Sequence, residues 1–285
     1  ADFPEVMQAH RENRNYIKWN LENMVRMLGH SFPTKHILVV RPSRVEYKSF
    51  SCYDNFVPSN NAGVPEHTPT HGALLHLESN LYLDNNKLDV RLQRLQQCRK
   101  TAMPLVVRLI SPRSCRIARA LPGPPFVNAS MSDPLWWRDK FALDESQLTL
   151  VGFSKGCVVL NQLIYEFHYV KTLTPGDAHM MRFMSRIVDM CWLDGGHAGG
   201  KNTWITSRSL LETLTRLNIN IFVHVSPYQV QDETRPWIGR EEKAFTGLLK
   251  KNGAKKLHVS PRNSNLIRIH YYYTTTTAHY VHCWT

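Results

Sequence analysis

The chain has 285 residues, 42% of them hydrophobic, and a formal net charge of +12. Length and content of that kind suffice for one large domain, with no need for two. No apolar run approaches the roughly 20 residues of a membrane helix, and six cysteines without a C-x-x-C pair argue against a disulfide scaffold or a zinc site. A single soluble intracellular domain over residues 1–285 with free thiols is expected.

Taken in chain order, Asn20 to Leu28 carries apolar residues at Leu21, Met24, Val25 and Leu28, the spacing of a helix with one buried face, and Gly29 is expected to close it. His36 to Val40, with the apolar run Ile37 to Val40, predicts a buried strand that stops at Pro42. Ser51 to Pro69 is polar and rich in Asn, Pro and Gly, which predicts a loop, and His71 to Leu83 resumes helical spacing. His67 and His71 stand four apart, but Pro69 lies between them and no third ligand completes a metal set, so no metal or other cofactor is expected.

Asn85 to Ser146 breaks the pattern with basic, Pro-containing sequence and is too long for an ordinary connection, so residues 85–146 are read as an insertion, a lid or disorder. Nine Lys or Arg and one acid, Asp89, fall between Lys87 and Arg119, giving that segment +8 of the excess charge. A nucleic-acid surface would need interleaved aromatics or a known motif, and neither is present; a solvated segment is expected, with no nucleic-acid partner.

Gln147 to Tyr165 organises the rest. An apolar run with β-branched residues, Leu148 to Val151, meets Gly152, Phe153, Ser154, Lys155 and Gly156, and a helix-period run follows at once. Small residues on either side of a central serine are what a strand turning directly into a helix requires, because the two backbones pass closely and the serine is held in a strained conformation. This is the pattern of a nucleophile elbow, GFSKG, with Ser154 as the nucleophile and the backbone N–H of Lys155 as one oxyanion donor. The Lys155 side chain would favour an acidic substrate or reach solvent. Downstream, strands are expected at Ile187 to Leu193, Ile219 to Val225 and Lys256 to Val259, alternating with helices at Ser207 to Leu217 and Arg240 to Lys250. That alternation predicts an α/β fold of α/β-hydrolase type, a mostly parallel sheet covered by helices on both faces.

In such a fold the partners follow in the order acid, then histidine. Asp232, in the loop after the strand Ile219 to Val225, is the first candidate for the acid, and Asp194, closing the preceding strand, is the second. His270 is the leading candidate for the base. His258 falls inside a strand and reads as a packed residue; His197, in a glycine-rich loop, would line the pocket or hold its own loop.

The stretches SCYDNFVPSN (51–60), LVGFSKGCVVLNQL (150–163), WLDGGHAGG (192–200), NTWIT (202–206), HVSPYQVQD (224–232) and RPWIG (235–239) resemble the animal family named after human chromosome two, open reading frame sixty-nine, from about Tyr16 to His258 apart from residues 85–146. The resemblance implies an α/β-hydrolase core, Ser154 as nucleophile, Asp232 as acid, a mitochondrial matrix location and a link to glycogen-branching enzyme. It also implies a strand ahead of Ala1 whose loop supplies the second oxyanion donor, and a C-terminal histidine in a short Asn-His-Phe sequence: counting from His258 brings His270 within one residue of that position, whereas matching Asn265 to the family Asn puts Leu266 there. The tail 271–285 resembles nothing in the family, and both ends are expected to reflect an incomplete or misjoined gene model. The sequence therefore predicts a serine hydrolase acting on an acyl substrate, small or lipid-like; the alternative is a silent hydrolase-fold scaffold that binds a partner protein in mitochondrial or glycogen metabolism.

Overall fold

A computed structural model of the protein describes residues 3–11, 13–32, 35, 37–46, 50–81, 146–196, 198–259 and 279–283. Six of the described strands form one sheet: β1 (Ile37–Val40), β4 (Leu148–Phe153), β5 (Ile187–Leu193), β6 (Asn220–His224), β7 (Leu257–Val259) and β8 (His279–Cys283). Their order is β1-β8-β4-β5-β6-β7, and every neighbouring pair is parallel. A separate hairpin joins β2 (Arg44–Glu46) to β3 (Phe50–Cys52).

Parallel strands need crossovers, and the crossover helices bury both faces of the sheet. On one face Leu150, Met190, Trp192, Ile221 and Val223 pack with α3 (Ala73–Leu81), α4 (Cys157–Thr172), α5 (Ala178–Ser185), α6 (Arg208–Arg216) and α8 (Pro236–Lys251). On the other, Val39, Val151, Cys191 and Leu193 pack with Leu21 and Val25 of α2 (Leu21–Ser31) and with Phe3, just ahead of α1 (Pro4–Ala9). The protein thus has the α/β fold that the alternation of elements predicts.

Local boundaries follow from named residues. Asn20 caps α2 by accepting the Asn23 N–H at 2.9 Å, and the helix runs through Gly29 to Ser31, two residues past the expected stop. Proline at the N-terminal end of α8 starts that helix a turn before the expected Arg240, because its fixed φ suits a first turn that lacks N–H partners. The strand β8 was given no sign by the sequence: residues 271–285 read only as an atypical tail, yet His279–Cys283 lies between β1 and β4. Residues 85–145, including the basic block and the Leu105 to Ile110 run, lie outside the described residues, as does any strand ahead of Ala1. Among the described residues no helix is long and apolar enough to cross a membrane.

Candidate active site

The carboxyl ends of β4, β5 and β6 lie side by side, with Phe153 opposite Leu193 and Leu193 opposite His224. Ser154 is the first residue beyond β4 and takes the left-handed conformation at φ +53°. A non-glycine residue there is strained by about 1–2 kcal/mol and persists only where its surroundings hold it. The hold comes from a close crossing of strand and helix: a Cβ on Gly152 would sit 2.9 Å from the Gly156 carbonyl oxygen and 3.0 Å from both the Cα and N of Cys157. A short 3-10 turn, Ser154–Gly156, then leads straight into α4. The Cys157 thiol turns back to the Gly152 carbonyl at 3.2 Å. Ser154 itself is half-buried.

Lys155 departs from both expected roles of its side chain. It is 4% exposed, and its ammonium donates to the Gly63 carbonyl, so it neither reaches solvent nor offers a free charge to an acidic substrate. Burial pulls its pKa down, with the neighbouring Cys52 acting in the opposite sense. Cys52 is itself buried, and its thiol is pushed up by that burial, partly offset by Arg44 and Lys155.

The segment between β3 and α3 is tied onto α4 by polar side chains inside the helix. Gln162 accepts the Thr68 N–H at 3.2 Å and donates to the Thr68 carbonyl. Glu166, 4% exposed, accepts the N–H groups of Gly72 at 3.0 Å, Ala73 at 2.7 Å and Leu74 at 2.8 Å, which are open donors at the start of α3. On its other flank Asn161 receives the Trp192 indole N–H at 3.0 Å and donates to the Thr203 carbonyl at 3.2 Å. Glu241 of α8 completes the hold on that second loop, accepting from the backbone of Asn202, Thr203 and Trp204.

The two candidate acids differ. Asp194 is the first residue past β5, at φ +52°, and is 8% exposed. Its carboxylate accepts the Ser226 backbone N–H at 2.6 Å and the Ser226 hydroxyl at 2.8 Å. Asp232 lies beyond a short helix, α7 (Pro227–Val230), just ahead of α8. It accepts the Thr234 N–H at 2.8 Å and hydroxyl at 2.6 Å and pairs with the Arg235 guanidinium at 2.6 Å. The Thr234 hydroxyl and then Arg235 hold its carboxyl down at about 2.

Of the histidines, His197 and His270 lie outside the described residues. His258 stands in β7 and stacks on Phe222 with ring centroids 4.9 Å apart, as a strand residue can. His67 stacks on Tyr165 at 5.3 Å with its Nδ1 3.4 Å from Gln162, and burial lowers its pKa to about 4. His71 donates from Nε2 to the Asp54 carbonyl at 2.9 Å. The two are thus engaged separately, and among the described residues no group of three or more His, Cys, Asp or Glu is placed to hold a metal. Ser226, Glu166 and Glu241 were not singled out by the sequence; only the Ser-Pro step at Ser226 carries a local signal, that of a helix start.

The sequence matches the family described as C2orf69 over residues 1–255. The chain belongs to the C2orf69 family. A Mus musculus relative, named mitochondrial protein C2orf69 homolog, is 37% identical over 285 residues, covering 94% of this chain and 74% of its own. The Homo sapiens protein named mitochondrial protein C2orf69 is 35% identical over 288 residues, with 94% and 70% covered. A Danio rerio homolog is 35% identical over 257 residues, covering 90% of this chain and 64% of its own. No solved structure matches the chain. The family match ends ahead of β7, β8 and His270.

Proposed function

We propose that this protein is an α/β-hydrolase-type serine hydrolase of mitochondria, acting by acyl transfer from Ser154. The observation that carries the reading is the left-handed Ser154 at the end of a parallel inner strand, with Gly152 too close to Gly156 and Cys157 to bear a side chain. A serine so placed projects its hydroxyl at the start of a helix, where N–H groups and the helix dipole favour an oxyanion.

In the reaction, Ser154 Oγ attacks an ester, thioester or amide carbonyl as its proton passes to an imidazole, for which His270 is the expected source. The Lys155 backbone N–H stabilises the oxyanion. The bond to the leaving group breaks as that group takes the proton from the imidazole. Water then adds to the acyl-serine by the same proton route, releasing the acid and restoring Ser154. The mitochondrial location follows the names of the relatives.

A fluorophosphonate probe tests the reading, because it reacts with an activated serine hydroxyl and needs no knowledge of the substrate. The wild type is expected to be labelled and Ser154→Ala to be unlabelled at equal folded concentration. Equal labelling of the two, or none of the wild type, refutes the proposal.

A further inference from the structure

We propose that Asp194, and not Asp232, is the carboxylate that orients the base serving Ser154; this rests on the serine-hydrolase reading above. Three structural features point the same way, and the first is position. Ser154 and Asp194 are the residues immediately beyond Phe153 and Leu193, which are register partners on adjacent strands. Neighbouring strands lie about 4.8 Å apart, so one imidazole is able to reach both the serine hydroxyl and the carboxylate. Both residues also take the left-handed conformation, at φ +53° and +52°, a strained pairing that the fold maintains at the ends of two adjacent strands.

The second feature is charge. Asp194 is 8% exposed, its two donors both come from the neutral Ser226, and among the described residues no cation is paired with it. A buried carboxylate in that state lacks charge compensation, and it has lone-pair capacity left for another donor. An imidazole N–H supplies that donor, and the imidazolium formed during catalysis supplies the missing charge. Asp232, in contrast, already has Thr234 and the Arg235 guanidinium on its oxygens.

The third is rigidity. Ser226 grips Asp194 through backbone and side chain together and so ties the end of β6 to the end of β5. Asp194 is therefore a positioning residue held by a second one. Asp232 has a sufficient task elsewhere, satisfying the Thr234 N–H just ahead of α8.

The test compares the rate of fluorophosphonate labelling across pH for the full chain, its Ser154→Ala control, Asp194→Asn, Asp232→Asn and Ser226→Ala, each checked for folding by thermal melting. Asp194→Asn should slow labelling by at least about a hundredfold, as losing the orienting carboxylate does in serine hydrolases generally. It should also move the acid limb of the pH profile to lower pH, since the imidazole loses a neighbouring negative charge. Asp232→Asn should stay within about threefold with an unshifted limb. If Asp194→Asn does not fold, Ser226→Ala decides: slower labelling with the acid limb in place supports the assignment, and unchanged labelling overturns it. Loss of rate and a shifted limb in Asp232→Asn, or an unaffected Asp194→Asn, overturns the assignment while leaving the hydrolase reading intact. A wild type that is not labelled overturns both.

Discussion

Replacing Glu166 with Gln should unfold the start of α3 and loosen the segment packed on α4. The native carboxylate accepts three backbone N–H groups and the Gln162 amide, which donates to it at 2.9 Å, and both of its oxygens act as acceptors. An amide keeps one acceptor oxygen and presents an NH2 group where the other stood. If its oxygen stays with Gly72, Ala73 and Gln162, the Leu74 N–H faces another donor and is left buried and unsatisfied, at about 1–3 kcal/mol. Loss of the charge at a helix start adds about 0.3–1 kcal/mol, more where the site is buried. The total of about 1.3–4 kcal/mol corresponds to a fall in Tm of roughly 3–16 °C in a domain of this size. Circular dichroism melting measures it directly, and limited proteolysis should cut first within residues 53–72. A variant melting within 2 °C of wild type, with unchanged proteolysis, would refute the idea that this carboxylate anchors the segment.

Gly152→Ala should destabilise the protein and abolish serine labelling together, because the added carbon meets backbone at 2.9 Å and 3.0 Å and the strand and helix must part, at roughly 1–3 kcal/mol; a melt and a labelling assay equal to wild type would contradict it. His67→Phe should flatten the loss of stability as pH falls from 6.5 to about 4. The folded state holds His67 neutral down to about 4, chiefly by burial, whereas the unfolded chain takes a proton near 6.5, so acid favours unfolding across that window until this ring is removed. Urea titrations at several pH values would read the slope, and an identical slope in the variant would show that His67 is not responsible.

The turn from β4 into α4 is legible because its steric demand leaves a local trace: Gly152 and Gly156 are needed for one close crossing, and the apolar run before them is a strand buried on both faces. The end of α2 was misread by two residues because Gly29 looks like a stop, while burial of Leu21, Met24 and Val25 carries the helix on. Lys155 was not legible at all. Whether a lysine side chain is free depends on Gly63, ninety-odd positions earlier, closing over it. The same holds for Gln162 and Glu166, which interrupt an apolar helix without revealing that their partners are main-chain groups of a distant loop. Asp194 and Asp232 both stood in plausible loops; what separates them is which donors fold onto each, and spacing does not encode that.

The placement of β8 bears on how the molecule assembles. The strands β4 to β7 pair with their successors along the chain, but β1 joins them only through residues more than 240 positions away, Tyr280 opposite Ile37. Closing so long a loop is entropically costly and raises contact order, which slows the step that depends on it. Folding should therefore proceed in two stages: a nucleus around β4 forms first, and the wing carrying β1 docks later, when the HYVHC segment slots between them. Until then two inner edges stand unpaired, making the late intermediate the form most exposed to aggregation and to chaperone capture.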